Sequence, residues 1–168
     1  FVRDWKNGVK HSLPISASFT FFKYINFSIS ENYNERWYFN RINRDWDVTR
    51  QEEVMDTTYG FYRVYDFSTN ASLSTKLYGY YTPFRIWFGD YVDRIRHVMT
   101  PSLSFSYHPD FGSDLFGFYD SYTKTIVDKN SVHPISQQEV IYSPYSNGMY
   151  GVPGRGMSST LSFGLQNN

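Results

Sequence analysis

At 168 residues the chain has the length of one domain, and with no cysteine it has neither a disulfide staple nor a thiolate metal site. Sixteen Lys and Arg balance sixteen Asp and Glu, so no net field recruits nucleic acid or an acidic membrane surface. Aromatic residues make up 21% of the chain although its mean hydropathy is −0.52, the combination produced when apolar rows alternate with Ser, Thr and Asn rows.

Residues 1–10 are polar and mixed, with Asn7-Gly8 in the pattern of a tight turn. The first strand is predicted over residues 12–22, where Leu13, Ile15, Ala17, Phe19 and Phe21 alternate with Ser, Pro and Thr. Lys23-Tyr24 is a short reversal into a second strand over residues 25–38. Parity puts Glu31 on the apolar face of that strand, so it is expected at a membrane boundary, at a bulge or opposite another polar group. Arg36, Trp37, Tyr38 and Phe39 then stand at or beyond an aromatic rim. The charged text of residues 40–58 reads as a solvent loop.

A third strand is predicted over residues 59–77, with Arg63 in the part that projects into water. Beyond Gly79 comes a compact aromatic connection through Pro83, Trp87 and Gly89-Asp90. The sheet resumes in residues 96–111, where Pro101, Leu103, Phe105 and Tyr107 alternate without error with Ser102, Ser104 and Ser106. Residues 112–153 read as the longest loop, and a final strand starts near Gly156. Apolar residues nowhere recur at i, i+3, i+4 and i+7 over a comparable window, which leaves helix a minor part at most.

No run approaches the roughly 18 apolar residues of a membrane helix, but a barrel strand needs only about 9 to 11. Strand length, Tyr and Trp at strand ends, and a minor face of small hydroxyls instead of Lys and Glu favour a transmembrane barrel over a soluble β-sandwich. Short connections at Lys23-Tyr24 and Gly79 alternate with long ones at residues 40–58 and 112–153, the organisation of periplasmic turns and outer loops. The predicted fold class is therefore all-β, an antiparallel transmembrane β-barrel segment of a larger barrel, with residues 1–168 forming a partial barrel domain incomplete at both ends.

Signs of chemistry are few. Asp110-Phe111-Gly112 follows a strand and lacks the other kinase motifs, so it reads as a strand running into a turn. His11, His97, His108 and His133 show no metal-ligand spacing, and Asp114, Asp120 and Asp128 do not match a calcium loop. No Gly-x-Ser-x-Gly elbow exists, and the sequons at Asn26 and Asn70 lie inside strands. Arg94, Arg96 and His97 read as an interfacial basic collar balanced by Asp90 and Asp93. On strand parity, Leu103, Phe105 and Tyr107 are expected to face lipid, and Ser102, Ser104 and Ser106 a wet lumen. Catalytic, cofactor-binding and metal residues are predicted to be none.

The text Arg96-His97-Val98-Met99-Thr100-Pro101, followed by the Ser-alternating strand, resembles the Arg-His-x-x-x-Pro barrel strand of the lipopolysaccharide-assembly outer-membrane proteins, the LptD or organic-solvent-tolerance family. Phe1-Val2-Arg3-Asp4-Trp5, His11-Ser12-Leu13-Pro14, Glu35-Arg36-Trp37-Tyr38, Thr75-Lys76-Leu77-Tyr78-Gly79 and the run from Ser162-Phe163-Gly164 to Asn168 look like the Bacteroidetes branch. Arg96, His97 and Pro101 are the motif residues. The resemblance implies a very large barrel in the Gram-negative outer membrane, preceded by a periplasmic jellyroll. It further implies lipopolysaccharide as cargo, a periplasmic lipopolysaccharide-transport bridge as its source, a plug lipoprotein and the lipid bilayer as partners, and no nucleic acid. The expected function is a non-enzymatic translocon section. A soluble carbohydrate-binding β-sandwich and an outer-membrane lipid hydrolase are the alternatives.

Overall fold

A computed structural model describes residues 8–82, 94–127 and 134–167. The described residues form eight strands: β1 Gly8–Phe21, β2 Ile25–Asp47, β3 Glu52–Thr75, β4 Leu77–Tyr81, β5 Ile95–His108, β6 Asp120–Val127, β7 Pro134–Tyr142 and β8 Ser158–Asn167. The connection through Pro83, Trp87 and Gly89-Asp90, together with Asp93, Asp128, His133 and the Asn7 side of the first expected turn, lies outside the described residues.

Five strands of the main sheet lie in the order β1-β2-β3-β5-β4, and β8 also pairs with β5. The pairs β3–β5, β4–β5 and β5–β8 are antiparallel. Strands β3 and β4 are one run interrupted at Lys76, because Thr69–Ser74 pair with Ser102–Tyr107 and Leu77–Tyr81 pair with Ile95–Met99 with no shift of register. Strand β8 takes the other edge of β5, from Met99 to His108. Strands β6 and β7 form a separate two-stranded hairpin.

The reversal after β1 is a tight turn in which Tyr24 N donates to the Phe21 carbonyl at 3.1 Å. Phe22 and Lys23 both take positive φ, 50° and 66°, as a hairpin turn compatible with right-handed strand twist requires.

Three expected connections are corrected, the first at Gly79, which lies within β4 opposite His97 and not in a short reversal. Residues 40–58 are mostly strand: β2 runs on to Asp47, β3 starts at Glu52, and only residues 48–51 turn. Polar groups are tolerated in these strands because they find partners across the hairpin, the charged Arg44 with Glu53 at 3.3 Å and the neutral Asn43 with Thr58 at 3.0 Å. Residues 112–153 contain the β6–β7 hairpin, in which Tyr122, Lys124 and Ile126 alternate with Ser and Thr and pair with Val140, Gln138 and Ser136.

The chain divides into two compact units. The first comprises Phe1–Leu13, Tyr33–Phe67 and Pro109–Met157. Its core is a hydrophobic cluster of four aromatic residues, Tyr38, Phe111, Phe118 and Tyr145, with Val64, and Tyr62, Tyr65 and Phe67 pack against it. Tyr38, expected at a rim, is buried here, because the excursion from Pro109 to Met157 folds over it: Tyr145 stacks on its ring and the Gly151 carbonyl accepts its hydroxyl at 2.6 Å. The second unit comprises Pro14–Asn32, Ser68–His108 and Ser158–Asn168. Among its described residues no hydrophobic side chain is buried; Leu161 and Phe163 are 68% and 72% exposed.

Candidate functional site

The second unit presents a wall with two chemically distinct faces. Because directly opposed residues in antiparallel strands point the same way, the register fixes which side chains share a face. Ala71, Phe105 and Leu161 form one cross-strand row, and Leu73, Leu103 and Phe163 the next. On the opposite face the rows are Ser72, Ser104 and Ser162, then Asn70, Ser106 and Thr160. The sorting is complete in these rows, so a slip of one residue would turn every ring over.

Leu103, Phe105 and Tyr107 therefore share the apolar face, and Ser102, Ser104 and Ser106 the hydroxyl face. The motif residues divide between them. Parity along β5 puts His97 and Pro101 with the apolar row and Arg96 with the serines. His97 lies opposite Gly79, with its ring 6.1 Å from that of Tyr81, while Arg96 lies opposite Tyr80.

Local chemistry maintains each face. Ser28 and Ser72 share a hydrogen bond of 2.7 Å on the polar side, and Thr20 donates to Asn26 at 3.1 Å. Ser28, Ser30, Asn70, Ser104, Thr160 and Ser162 surround a shallow cavity of about 190 Å³ there. Gly164 lies opposite Ser102, and a Cβ at Gly164 would meet the Ser102 hydroxyl at 2.7 Å, so a larger residue there would require that hydroxyl to rotate away. On the apolar side, Ile25, Leu73, Pro101, Leu103 and Phe163 line a depression of about 210 Å³. Glu31 shares this side and faces a polar group, accepting a hydrogen bond from Thr69.

The first unit carries polar chemistry of a different kind. Ser12 donates to Asn34 at 2.8 Å, Asn34 donates to Asp66 at 2.9 Å, and Arg36 pairs with Asp66 while its Nε donates to the Tyr150 carbonyl at 3.1 Å. Around Glu35 the side chains of Tyr33, Trp37 and Arg63 converge, with the His11 ring 4.5 Å from Trp37. The excursion closes on Asp110, whose Oδ1 accepts from Gly112 N at 2.8 Å and from Gly156 N at 2.7 Å. These two amides, Gly156 first, hold the Asp110 carboxyl below its ordinary pKa. Gly156 takes a φ of +97°, a conformation that excludes most other residues.

A second cavity, of about 650 Å³, lies between the β2–β3 hairpin and β6. Arg41, Asn43, Asp45, Asp56 and Asp120 contribute to its lining. Reading these residues as loop concealed it; the signal available in the sequence was the alternation of Tyr122, Lys124 and Ile126, which announces the covering strand. Among the described residues, no three His, Asp or Glu side chains gather as a metal site.

A family model described as LptD protein matches residues 1–168, the full span of the chain. No curated protein and no solved structure matches.

Proposed function

Because the chain belongs to the LptD protein family, we propose that it forms part of the wall of an outer-membrane translocon that assembles lipopolysaccharide into the outer leaflet. The family is one of transport and assembly, not of enzymes, and the antiparallel all-β structure agrees with a partial barrel wall.

The carrying observation is the two-faced sheet of the second unit. Its apolar rows lie in register across β3, β5 and β8 and remain exposed, while the reverse face is built of hydroxyls and amides. A soluble protein seldom exposes a contiguous apolar patch of this kind. In a bilayer, by contrast, outward apolar and inward polar residues alternate along every strand. Leu103, Phe105 and Tyr107 contact lipid in this reading, and Ser102, Ser104 and Ser106 offer hydroxyls to the sugar end of the passing cargo. Arg96 sits at the lumen margin, and His97 and Pro101 on the lipid side.

The turn at residues 48–51 and the excursion from Pro109 to Met157 face the outside, and the Phe22-Lys23 turn faces the periplasm. Lipopolysaccharide arrives from the periplasmic transport bridge, and a plug lipoprotein shares the lumen. The segment is one piece of a larger barrel, whose other strands supply partners to its edges.

Spin labels placed at positions 104 and 105 of the whole assembled protein test the wall. Greater oxygen accessibility at 105 is expected; greater accessibility at 104 overturns the assignment. Depleting the protein in cells should also stop newly made lipopolysaccharide from reaching the surface, and unimpaired delivery would refute the translocon reading.

A further inference from the structure

The cavity between the β2–β3 hairpin and β6 belongs entirely to the first unit and has no part in the two-faced wall. At about 650 Å³ it falls within the range of small-ligand sites. Its lining interleaves donors with acceptors. Arg41, Asn43 and Arg44 supply N–H groups, while Asp45, Asp56 and Asp120 supply carboxylates whose residues are exposed. Tyr122 and Tyr142 complete one side, their ring centroids 5.8 Å apart.

The two arginines are held firmly. Arg41 lies over the Tyr62 ring at 5.4 Å, and Arg44 over the Tyr142 ring at 5.8 Å with Glu53 at 3.3 Å. Both Nε atoms are buried, with no hydrogen-bond partner among the described residues.

The mixture of charges selects the ligand. An anion would meet the arginines but also three aspartates, and a cation would meet the reverse. A saccharide fits both, because each hydroxyl accepts from a guanidinium or amide and donates to a carboxylate. Tyrosine rings add the apolar surface on which a sugar ring can rest. We propose that this cavity is a saccharide-binding site, recognising a run of vicinal hydroxyls through Arg41, Asn43, Asp56 and Asp120. The inference rests on the translocon reading only for the source of the sugar: the carbohydrate part of the delivered glycolipid, or a free glycan outside the cell.

The experiment uses the whole protein in detergent micelles, with two probes followed by saturation-transfer NMR and calorimetry. One is the oligosaccharide released by mild acid from lipopolysaccharide of the same cells; the other is maltoheptaose. Binding of the first alone assigns the site to the glycolipid, and binding of the second assigns it to free glycans. The exposed Asp56→Asn and Asp120→Asn should each weaken binding about tenfold, the loss of one charge-assisted hydrogen bond. The exposed Leu115→Ala, outside the cavity lining, should leave binding unchanged. Absence of binding by both probes at millimolar concentration overturns the inference, as does binding that both Asp variants leave intact. Surface delivery of lipopolysaccharide is scored for the same protein, so delivery without saccharide binding refutes the cavity and spares the translocon, whereas binding without delivery does the opposite.

Discussion

The two units solve the same problem, where to put aromatic and aliphatic side chains, in opposite ways. The first gathers its rings inward: all five buried hydrophobic residues of the described chain, Tyr38, Val64, Phe111, Phe118 and Tyr145, belong to it. The second arrays its rings in an exposed plane and spends its reverse face on serine, threonine and asparagine. Water-driven burial accounts for the first arrangement. In the proposed wall a bilayer covers the apolar plane of the second, without any side chain being recruited to the task. The difference teaches that overall hydropathy is a poor guide here, since a polar average conceals both a buried cluster and an exposed apolar plane.

The sharpest way to break the contrast is to empty the core of the first unit. Phe111 is fully buried, touching the rings of Phe67, Phe116 and Phe118, and Phe111→Ala should cost about 3–5 kcal/mol. Hydrogen exchange should show lost protection around Phe118 and Tyr145, while amides of β5 beside Ser104 keep theirs. Equal loss at both places would mean that the two units do not behave differently. Next in size is the apolar plane: Phe105→Arg should cost about 2–4 kcal/mol if the position lies near the bilayer midplane, and Ser104→Arg much less. Folding yield into lipid vesicles across a urea series reads this difference, and equal penalties would erase the distinction between the faces.

Gly148 tests how tightly the inner cluster is packed. A Cβ there would lie 2.5 Å from Tyr38 Cε1, a ring fixed by Tyr145 and Gly151, so Gly148→Ala should destabilise by about 1–3 kcal/mol. Thermal unfolding monitored by near-ultraviolet dichroism of the tyrosines would register it. Tyr38→Phe removes only the hydroxyl that donates to Gly151 and should cost about 1 kcal/mol, visible as faster exchange in the residues around Gly151.

The smallest effect is the pH response of the Asp110 clasp. Its folded pKa is depressed by the amides of Gly156 and Gly112, so its contribution is complete above the ordinary value of 3.8 and is lost as pH falls through the lower folded value. Amide exchange at Gly156, corrected for its intrinsic pH dependence, should speed up only below that range. A response already present near neutrality would remove Asp110 from the clasp.

Much of the second unit was legible in the sequence, because strict alternation at residues 101–107 can be satisfied only by a strand with two faces. The register then repeated what the letters announced, serine beside serine and ring beside ring. The first unit was less legible for a physical reason. In residues 40–58 the density of charge suggests a loop, yet Arg44 and Glu53 are strand residues that neutralise each other across a hairpin. Tyr38 follows Arg36 and Trp37 in text that resembles a membrane rim, and only the return of Tyr145 and Gly151, more than a hundred residues later, buries it. Periodicity reports on neighbours within a strand and is silent about a distant segment folding back. The same limit hid the donor and acceptor cavity, whose parts come from β2, β3, β6 and β7.

The Asp110 clasp has a consequence for how such a chain can change over time. A single carboxylate oxygen holds the two ends of the excursion together, Gly112 on one side and Gly156 on the other. The entropy of closing a flexible loop grows only with the logarithm of its length, about 0.6 kcal/mol for each doubling. Once the ends are fastened, residues can be added or removed between them at little thermodynamic penalty, provided that the aromatic contacts to Tyr38 and Val64 survive. The excursion is thus a cassette, free to diversify in length and surface chemistry while β5 and β8, which continue from its two ends, keep their register.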